Sequence, residues 1–132
     1  GPIFEKTRKA VEKHYKALCF ACHGQNGEGV QMTGTDMMLA PSLKASKRVL
    51  GAHDKLTRIV LHGLTGPIEG KTYPGAMEAL KSHDNKYLAE VLTYIRNSWG
   101  NSARMITEND VRQVRKKHRS RKTPWTIEEL EK

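Results

Sequence analysis

The sequence is poor in cysteine, in aromatic residues and in long apolar segments. Only two cysteines and 6% aromatic residues occur in 132 residues. A disulfide framework is therefore excluded, and the apolar volume available for a core is small. No apolar run approaches the roughly 20 residues that cross a membrane as a helix, and no segment shows the alternation of a half-buried strand. These absences favour one small helical domain.

The chain also lacks a secretory signal at its N-terminus. It opens with Gly1-Pro2, which matches the pair of residues that a specific protease leaves after tag removal. We therefore expect residues 1–2 to be a cleavage scar. The natural N-terminus, with any export signal or membrane tether, would then lie upstream.

Positive charge is the most prominent feature of the composition. The chain carries 23 Lys and Arg against 14 Asp and Glu, a net charge of +9, which attracts acidic proteins, anionic lipids or nucleic acids. Residues 112–122 hold seven cations and no acid. No aromatic interleaving or base-reading motif accompanies them, so a nucleic-acid partner is not expected. A solvated face, a docking surface for an acidic redox partner or neighbouring domain, and a lipid contact stay open.

Apolar periodicity predicts four helices, over residues 3–18, 54–63, 84–98 and 107–118. Asp54 and Asp84 are the predicted N-caps of the second and third, and Thr107 and Asp110 form a predicted capping box for the fourth. A last helical turn begins at Thr126. Loops rich in Gly and Pro connect the earlier helices. The predicted fold class is therefore all-α.

The composition changes near residue 103, where we place a domain boundary. Residues 3–103 form the predicted core domain. Residues 104–132, with 9 basic and 5 acidic residues, form a predicted basic extension that packs on the core or flanks it.

The stretch CFACH, residues 19–23, carries the chemistry of the sequence. Cys19 and Cys22 resemble a redox pair, but no strand precedes them as in a βαβ redox site, and a zinc site needs about four ligands where only these two and His23 cluster. C-x-x-C-H is also the haem c attachment signal. Two thiols at fixed separation add to the two porphyrin vinyl groups, and the adjacent imidazole reaches the iron. The motif favours haem attachment, while redox-pair and metal-site interpretations stay open.

Around this motif the sequence resembles class I cytochromes c over residues 4–100. A helix leads into CFACHG, a Gly-rich loop carries LAPSL, and an amphipathic helix closes the domain. The stretches LAPSL, RIVLHGLTGPIEGKTYPGAM and YIRNSWGN are similar to cytochrome domains of bacterial multidomain or membrane-associated dehydrogenases. The resemblance implies an all-α fold whose helices wrap around one haem c, bound covalently through Cys19 and Cys22.

The resemblance also implies the axial ligands of the iron. His23 is the implied proximal ligand, and Pro41 matches the proline whose carbonyl accepts the free N–H of that imidazole. Met77 is the expected distal ligand. It lies 54 residues after His23 (77−23), in the segment YPGAM, where Pro74 and Gly75 hold a loop close to the porphyrin.

Other side chains compete with Met77 for the distal position. Met37 and Met38 lie close to LAPSL on the proximal side, and gap filling is the bland interpretation of any loop methionine. His62 is the rival ligand of a different chemistry, and a His/His pair would lower the reduction potential relative to His/Met. Family members often have a proline after the ligand, where this chain has Glu78.

Three further residues are candidates for contacts to the haem. The fork of Arg58 matches a propionate carboxylate, although a solvated helix face is an equally simple interpretation. Tyr73 and Trp99 are candidates for a bond to a propionate or for packing on the ring, and core packing is the simpler role of Trp99.

The implied function is electron transfer through a mono-haem domain, not an enzyme reaction. The expected donor is a dehydrogenase, either on the same parent chain or separate from it, and the expected acceptor is an oxidase or another cytochrome of a respiratory chain. Haem c is attached outside the bacterial cytoplasm, which implies a periplasmic or exported location, with or without a membrane anchor. The alternatives are a peroxidase-like or gas-binding haem site with a labile distal ligand, and a basic helical binding module without haem.

Overall fold

The computed structural model describes the backbone of residues 2–74 and 76–132, and the side chains of those residues other than 2–8 and 21. Gly1 of the expected cleavage scar and Gly75 of the YPGAM segment lie outside the described residues. Seven helices occur in the described part of the chain. They are α1 Pro2–Leu18, α2 Phe20–His23, α3 Lys47–Leu50, α4 His53–His62, α5 Asn85–Arg96, α6 Glu108–Lys117 and α7 Ile127–Leu130.

The predicted all-α class is confirmed, because extended segments in the described part form only isolated bridges. The four predicted helices correspond to α1, α4, α5 and α6, and the turn from Thr126 corresponds to α7. The short helices α2 and α3 were not predicted. None of the helices described is both long and apolar enough to span a bilayer.

Side-chain caps fix where the helices begin. The Asp84 carboxylate accepts from the Tyr87 N–H at the start of α5, and Thr107 and Asp110 form a capping box at the start of α6, so both of these predictions are confirmed. The predicted cap Asp54 is wrong. The N-cap of α4 is Ala52, and Asp54 lies in the first turn, where its charge complements the helix dipole.

One core joins the main helices to residues 104–132, which form the C-terminal segment. α1 packs against α5, and α6 packs against both α4 and α5. Tyr15 of α1, Leu92 of α5 and Val111 of α6 belong to one buried cluster. Ile106, which precedes α6, is only 1% exposed in the same cluster. Residues 104–132 therefore pack on the core through α6, which contacts α4 and α5, while the boundary near residue 103 stays a prediction.

Candidate haem site

A cavity of about 630 Å³ lies between α2, α3, α4, α5 and two loops. Its volume is within the range of about 300–1,000 Å³ that cofactor sites span. Apolar side chains from the helices form much of its lining: Leu56, Ile59, Val60, Val91, Leu92 and Ile95. Such walls suit a large planar apolar group. A group of that kind would add apolar volume to a chain whose composition provides little of it for a core.

The CFACH motif forms one part of this lining. Backbone hydrogen bonds continue the helix through the motif: the Cys19 N–H donates to the Tyr15 carbonyl, and the His23 N–H donates to the Cys19 carbonyl at 2.9 Å. Residues at positions i, i+3 and i+4 of a helix lie on one face. Cys19, Cys22 and His23 therefore all reach the same cavity, and the local helix explains why the motif needs this spacing.

The two thiols differ in their surroundings. Both cysteines are free, with Cys19 half-buried and Cys22 exposed. Burial, with a smaller contribution from Cys22, raises the pKa of the Cys19 thiol to about 12. Before haem is attached, Cys19 is thus a neutral thiol inside the cavity, whose lining also includes Cys22.

The imidazole of His23 is held in one tautomer. Its Nδ1 lies 3.1 Å from the Pro41 carbonyl oxygen, and a carbonyl can only accept, so Nδ1 carries the proton and Nε2 keeps its lone pair. Burial lowers the pKa of His23, although the bond to Pro41 opposes this shift. The residue therefore presents a neutral ring with a free nitrogen, which is the form that binds a metal.

The loop that carries Pro41 is fixed by Asn101, which follows α5. The Asn101 amide donates to the Leu43 carbonyl at 3.0 Å and to the Ile95 carbonyl at 2.8 Å. Its side-chain oxygen accepts from the Ala45 N–H at 2.7 Å. A buried amide with all three bonds formed holds the loop against the end of α5, and it thereby fixes the carbonyl that orients His23.

Met77 lines the cavity from a different loop. Its backbone pairs with Leu64: the Met77 N–H donates to the Leu64 carbonyl at 2.9 Å, and the Leu64 N–H donates to the Met77 carbonyl at 3.2 Å. A Cβ on Gly63, whose φ is +88°, would overlap the Met77 carbonyl oxygen, so only glycine permits this approach. The loop that carries Met77 therefore packs directly against the end of α4.

The rival distal residues lie elsewhere in the described structure. Met37 is exposed, and neither it nor Met38 is among the described residues that line the cavity. His62 does not line the cavity either. Its ring packs edge-on against Trp125 of the C-terminal segment, with 6.2 Å between the ring centroids. Of the methionine and histidine side chains described, His23 and Met77 are the pair that the fold brings together in the cavity.

Of the accessory candidates, only Tyr73 lines the cavity. Arg58 instead lies 3.7 Å from Asp54 and 4.9 Å from the centroid of the Trp125 ring. The indole N–H of Trp99 donates to the Gln25 carbonyl at 2.9 Å. Trp99 thus packs beside the loop that follows the motif, in the core role that was its simpler interpretation.

Arg48, which was not predicted as a site residue, lines the cavity from α3. Its guanidinium contacts Glu69 at 3.0 Å and Glu131 at 3.7 Å. Arg48 is the cation of the described cavity lining that suits a carboxylate at the edge of a bound macrocycle. The only signal in the sequence was a cation beside the apolar pair Val49 and Leu50, within a segment that was predicted to be a loop.

The cavity, its thiol pair and its neutral imidazole together define a covalent haem protein of all-α fold. A family model described as cytochrome c matches residues 9–99. The chain is 31% identical to cytochrome c-552 of Thermus thermophilus over 108 residues, which cover 76% of this chain and 81% of that protein. It is also 31% identical, over 108 residues, to the cytochrome c-552 of an individual strain of Thermus thermophilus, and the match covers 72% of that protein.

The chain therefore belongs to the cytochrome c family. The expected class I mono-haem fold and the covalent haem c are confirmed. Electron transfer through that haem follows from the family. The roles of the individual site residues, the ligand pair and the partners stay predictions.

Proposed function

We propose that His23 and Met77 are the two axial ligands of the haem iron, and that the chain is a one-electron carrier with both axial positions filled. The observation that supports this is the shared cavity: His23, Met77 and both motif cysteines line the same space. An axial thioether raises the reduction potential of the iron. A His/Met pair would thus suit an acceptor of electrons from a dehydrogenase.

The residues of this chain would hold, orient and shield the cofactor. Bound haem supplies a one-electron Fe(II)/Fe(III) couple. Cys19 and Cys22 would retain it covalently, and the Pro41 carbonyl keeps the His23 ring in the ligating tautomer. Leu56, Leu92 and the other apolar lining residues exclude water, which stabilises the less charged state of the site and limits reorganisation when the charge changes.

The partners that we propose are acidic-faced redox proteins or domains: a dehydrogenase as donor, and an oxidase or another cytochrome of a respiratory chain as acceptor. The net charge of +9 supports this choice, because opposite charges steer weak and fast encounters. We propose that partners approach the haem at its edge, near the thioethers of Cys19 and Cys22. The similarity of YIRNSWGN and LAPSL to cytochrome domains of dehydrogenases supports a donor of that type.

We also propose a periplasmic or exported location, because the attachment of haem c takes place outside the bacterial cytoplasm. Separation of bacterial compartments, followed by staining for covalent haem, tests this directly. Recovery of the haem-loaded protein in the cytoplasmic fraction would contradict it.

Substitution of Met77 tests the ligand pair. In the haem-loaded protein, Met77→Ala should abolish the long-wavelength sulfur-to-iron charge-transfer band of the oxidised state and lower the reduction potential. Met38→Ala is the matched control, since it removes a loop methionine that does not line the cavity. The proposal fails if Met77→Ala retains the band or if Met38→Ala loses it.

A further inference from the structure

The C-terminal segment is hydrogen-bonded to the same short stretch of backbone that holds Met77. On one side of Leu64 lies Met77, in an antiparallel bridge, and on the other side lies Trp125, in a parallel bridge. The Trp125 N–H donates to the Gly63 carbonyl at 3.0 Å, and the Thr65 N–H donates to the Trp125 carbonyl at 2.9 Å. Residues 63–65 are therefore the middle of a ladder of two isolated bridges, with Met77 on one side and Trp125 on the other.

Side chains join the two edges of this ladder as well. Ile59, Leu64, Trp125 and Leu130 form a small buried cluster, and Met77 packs against it. Trp125 is only 6% exposed. Trp125 thus reaches Met77 in two independent ways, through the backbone of Leu64 and through a shared apolar cluster.

The turn that delivers Trp125 is itself braced by Arg121. The Arg121 guanidinium lies 3.5 Å from the centroid of the Trp125 ring, where a cation is attracted to the ring face. It also donates to the Pro124 carbonyl at 2.8 Å and to the Glu129 carboxylate at 2.9 Å. Glu129 closes a capping box with Thr126. Residues 121–130 therefore form a pre-organised unit that is built around Trp125.

We propose that Trp125 is a positioning residue for the distal ligand, holding the Met77 loop in its ligating position through Leu64. This inference rests on the proposed ligation by Met77. An isolated bridge between Leu64 and Met77 would open readily, because two extended segments without a third partner are only marginally stable. With Trp125 in place, opening the Met77 loop also disrupts the ladder and the apolar cluster.

Carbon monoxide binding to the ferrous haem-loaded protein reports how often the distal position opens. Trp125→Ala should bind carbon monoxide about tenfold more tightly than the unchanged protein, because the apparent affinity rises in proportion to the fraction of molecules with an open distal position. The variant should also have a lower reduction potential. Trp125→Leu retains an apolar side chain in case the alanine variant fails to fold, and it should act in the same direction. Trp125→Phe should restore the original behaviour, because the indole N–H has no hydrogen-bond partner among the described residues.

The matched control is Val114→Ala, which removes buried volume from α6 in the main core cluster without touching the ladder. It should lower the thermal midpoint and leave both carbon monoxide binding and the reduction potential unchanged. The proposal is overturned if Trp125→Ala and Trp125→Leu leave the ligation unaltered, or if Val114→Ala changes it to the same extent. If the unchanged protein shows no sulfur-to-iron charge-transfer band, the ligation by Met77 is overturned, and the positioning role of Trp125 with it.

Discussion

Single side chains decide the redox properties that the site can have. The Pro41 carbonyl fixes the proton of His23 on Nδ1, and burial keeps the ring neutral by lowering its pKa. The donated bond increases the basicity of the opposite nitrogen, which tunes a bound metal. Because the acceptor is a backbone carbonyl, the side chain at position 41 matters for the shape of the loop and not for the bond itself.

Arg48 is the residue whose substitution should most simply shift the reduction potential. Arg48→Met removes a cation that lines the cavity. Loss of a nearby positive charge favours the oxidised iron, so the reduction potential should fall by on the order of 50 mV. For one electron, about 59 mV corresponds to a tenfold change in the equilibrium constant of reduction. Protein-film voltammetry measures the change. Arg112→Met, on the exposed face of α6, is the matched control and should shift the potential by far less.

The sequence predicts some of these residues well and others not at all. The motif of Cys19, Cys22 and His23 is local, because a single turn of helix brings its members together. The sequence alone therefore predicts that these residues form one site. Arg48 enters the cavity only because α3 packs beside α4, which is a tertiary event without a local signal. Arg58 has suitable chemistry for a propionate, yet its helix position directs it toward Trp125.

At the scale of secondary-structure elements, the junction between α4 and the C-terminal segment concentrates positive charge. His62 and His118 both pack edge-on against Trp125. Burial, followed by nearby cations that include Arg121, lowers the pKa of each imidazole from its ordinary value near 6.5. Each ring therefore stays neutral to lower pH in the folded protein than in the unfolded chain.

The stability of this junction should decrease as the pH falls below about 6.5. In that range the unfolded chain binds more protons at His62 and His118 than the folded chain does, so protonation favours unfolding. Thermal midpoints of the haem-loaded protein between about pH 8 and about 5.5 should fall, and His118→Gln should flatten the curve. His83→Gln, which alters a ring stacked on Tyr87, should leave it unchanged. A midpoint that stays constant over this range would contradict the account.

The helices themselves were largely predictable, and their contacts were not. The apolar periodicity and the caps of α5 and α6 lie within short continuous segments, so the sequence alone predicts them. α2 and α3 are four residues each, too short for a periodic pattern. The ladder that joins Leu64, Met77 and Trp125 pairs residues 13 and 61 positions apart (77−64 and 125−64), and short extended segments give no alternation to detect.

For the molecule as a whole, part of the positive charge lies on an exposed face of α6. The exposed cations of α6 include Arg112, Lys116 and Lys117. This helix packs against α4 and α5, and none of its residues is among those described in the cavity lining. We expect this basic face to attract an acidic partner over a distance and not to contact the haem site itself.

Neutralisation of two α6 cations should slow the encounter with an acidic donor. Arg112→Gln/Lys116→Gln should reduce the bimolecular rate of reduction by flavodoxin, an acidic electron-transfer protein, by on the order of threefold at low ionic strength. The difference should vanish near about 1 M salt, where the screening length is about 3 Å. Stopped-flow absorbance of the haem measures the rate.

The matched control changes an equivalent pair on α1. Lys9→Gln/Lys13→Gln removes the same charge at the same helical spacing, from exposed positions. A smaller effect from this pair would assign the steering to the extension. Equal effects would show that only the net charge of the molecule matters.

The electron-carrier function proposed for this cytochrome c depends on ligation of the haem by both His23 and Met77. Titration of the ferrous haem-loaded protein with carbon monoxide, beside Met77→Ala, tests it most directly. We expect weak and slow binding to the unchanged protein and rapid, tight binding to the variant. Ready binding to both proteins alike would show an open distal position, and it would support a gas-binding or peroxidase-like site instead of an electron carrier.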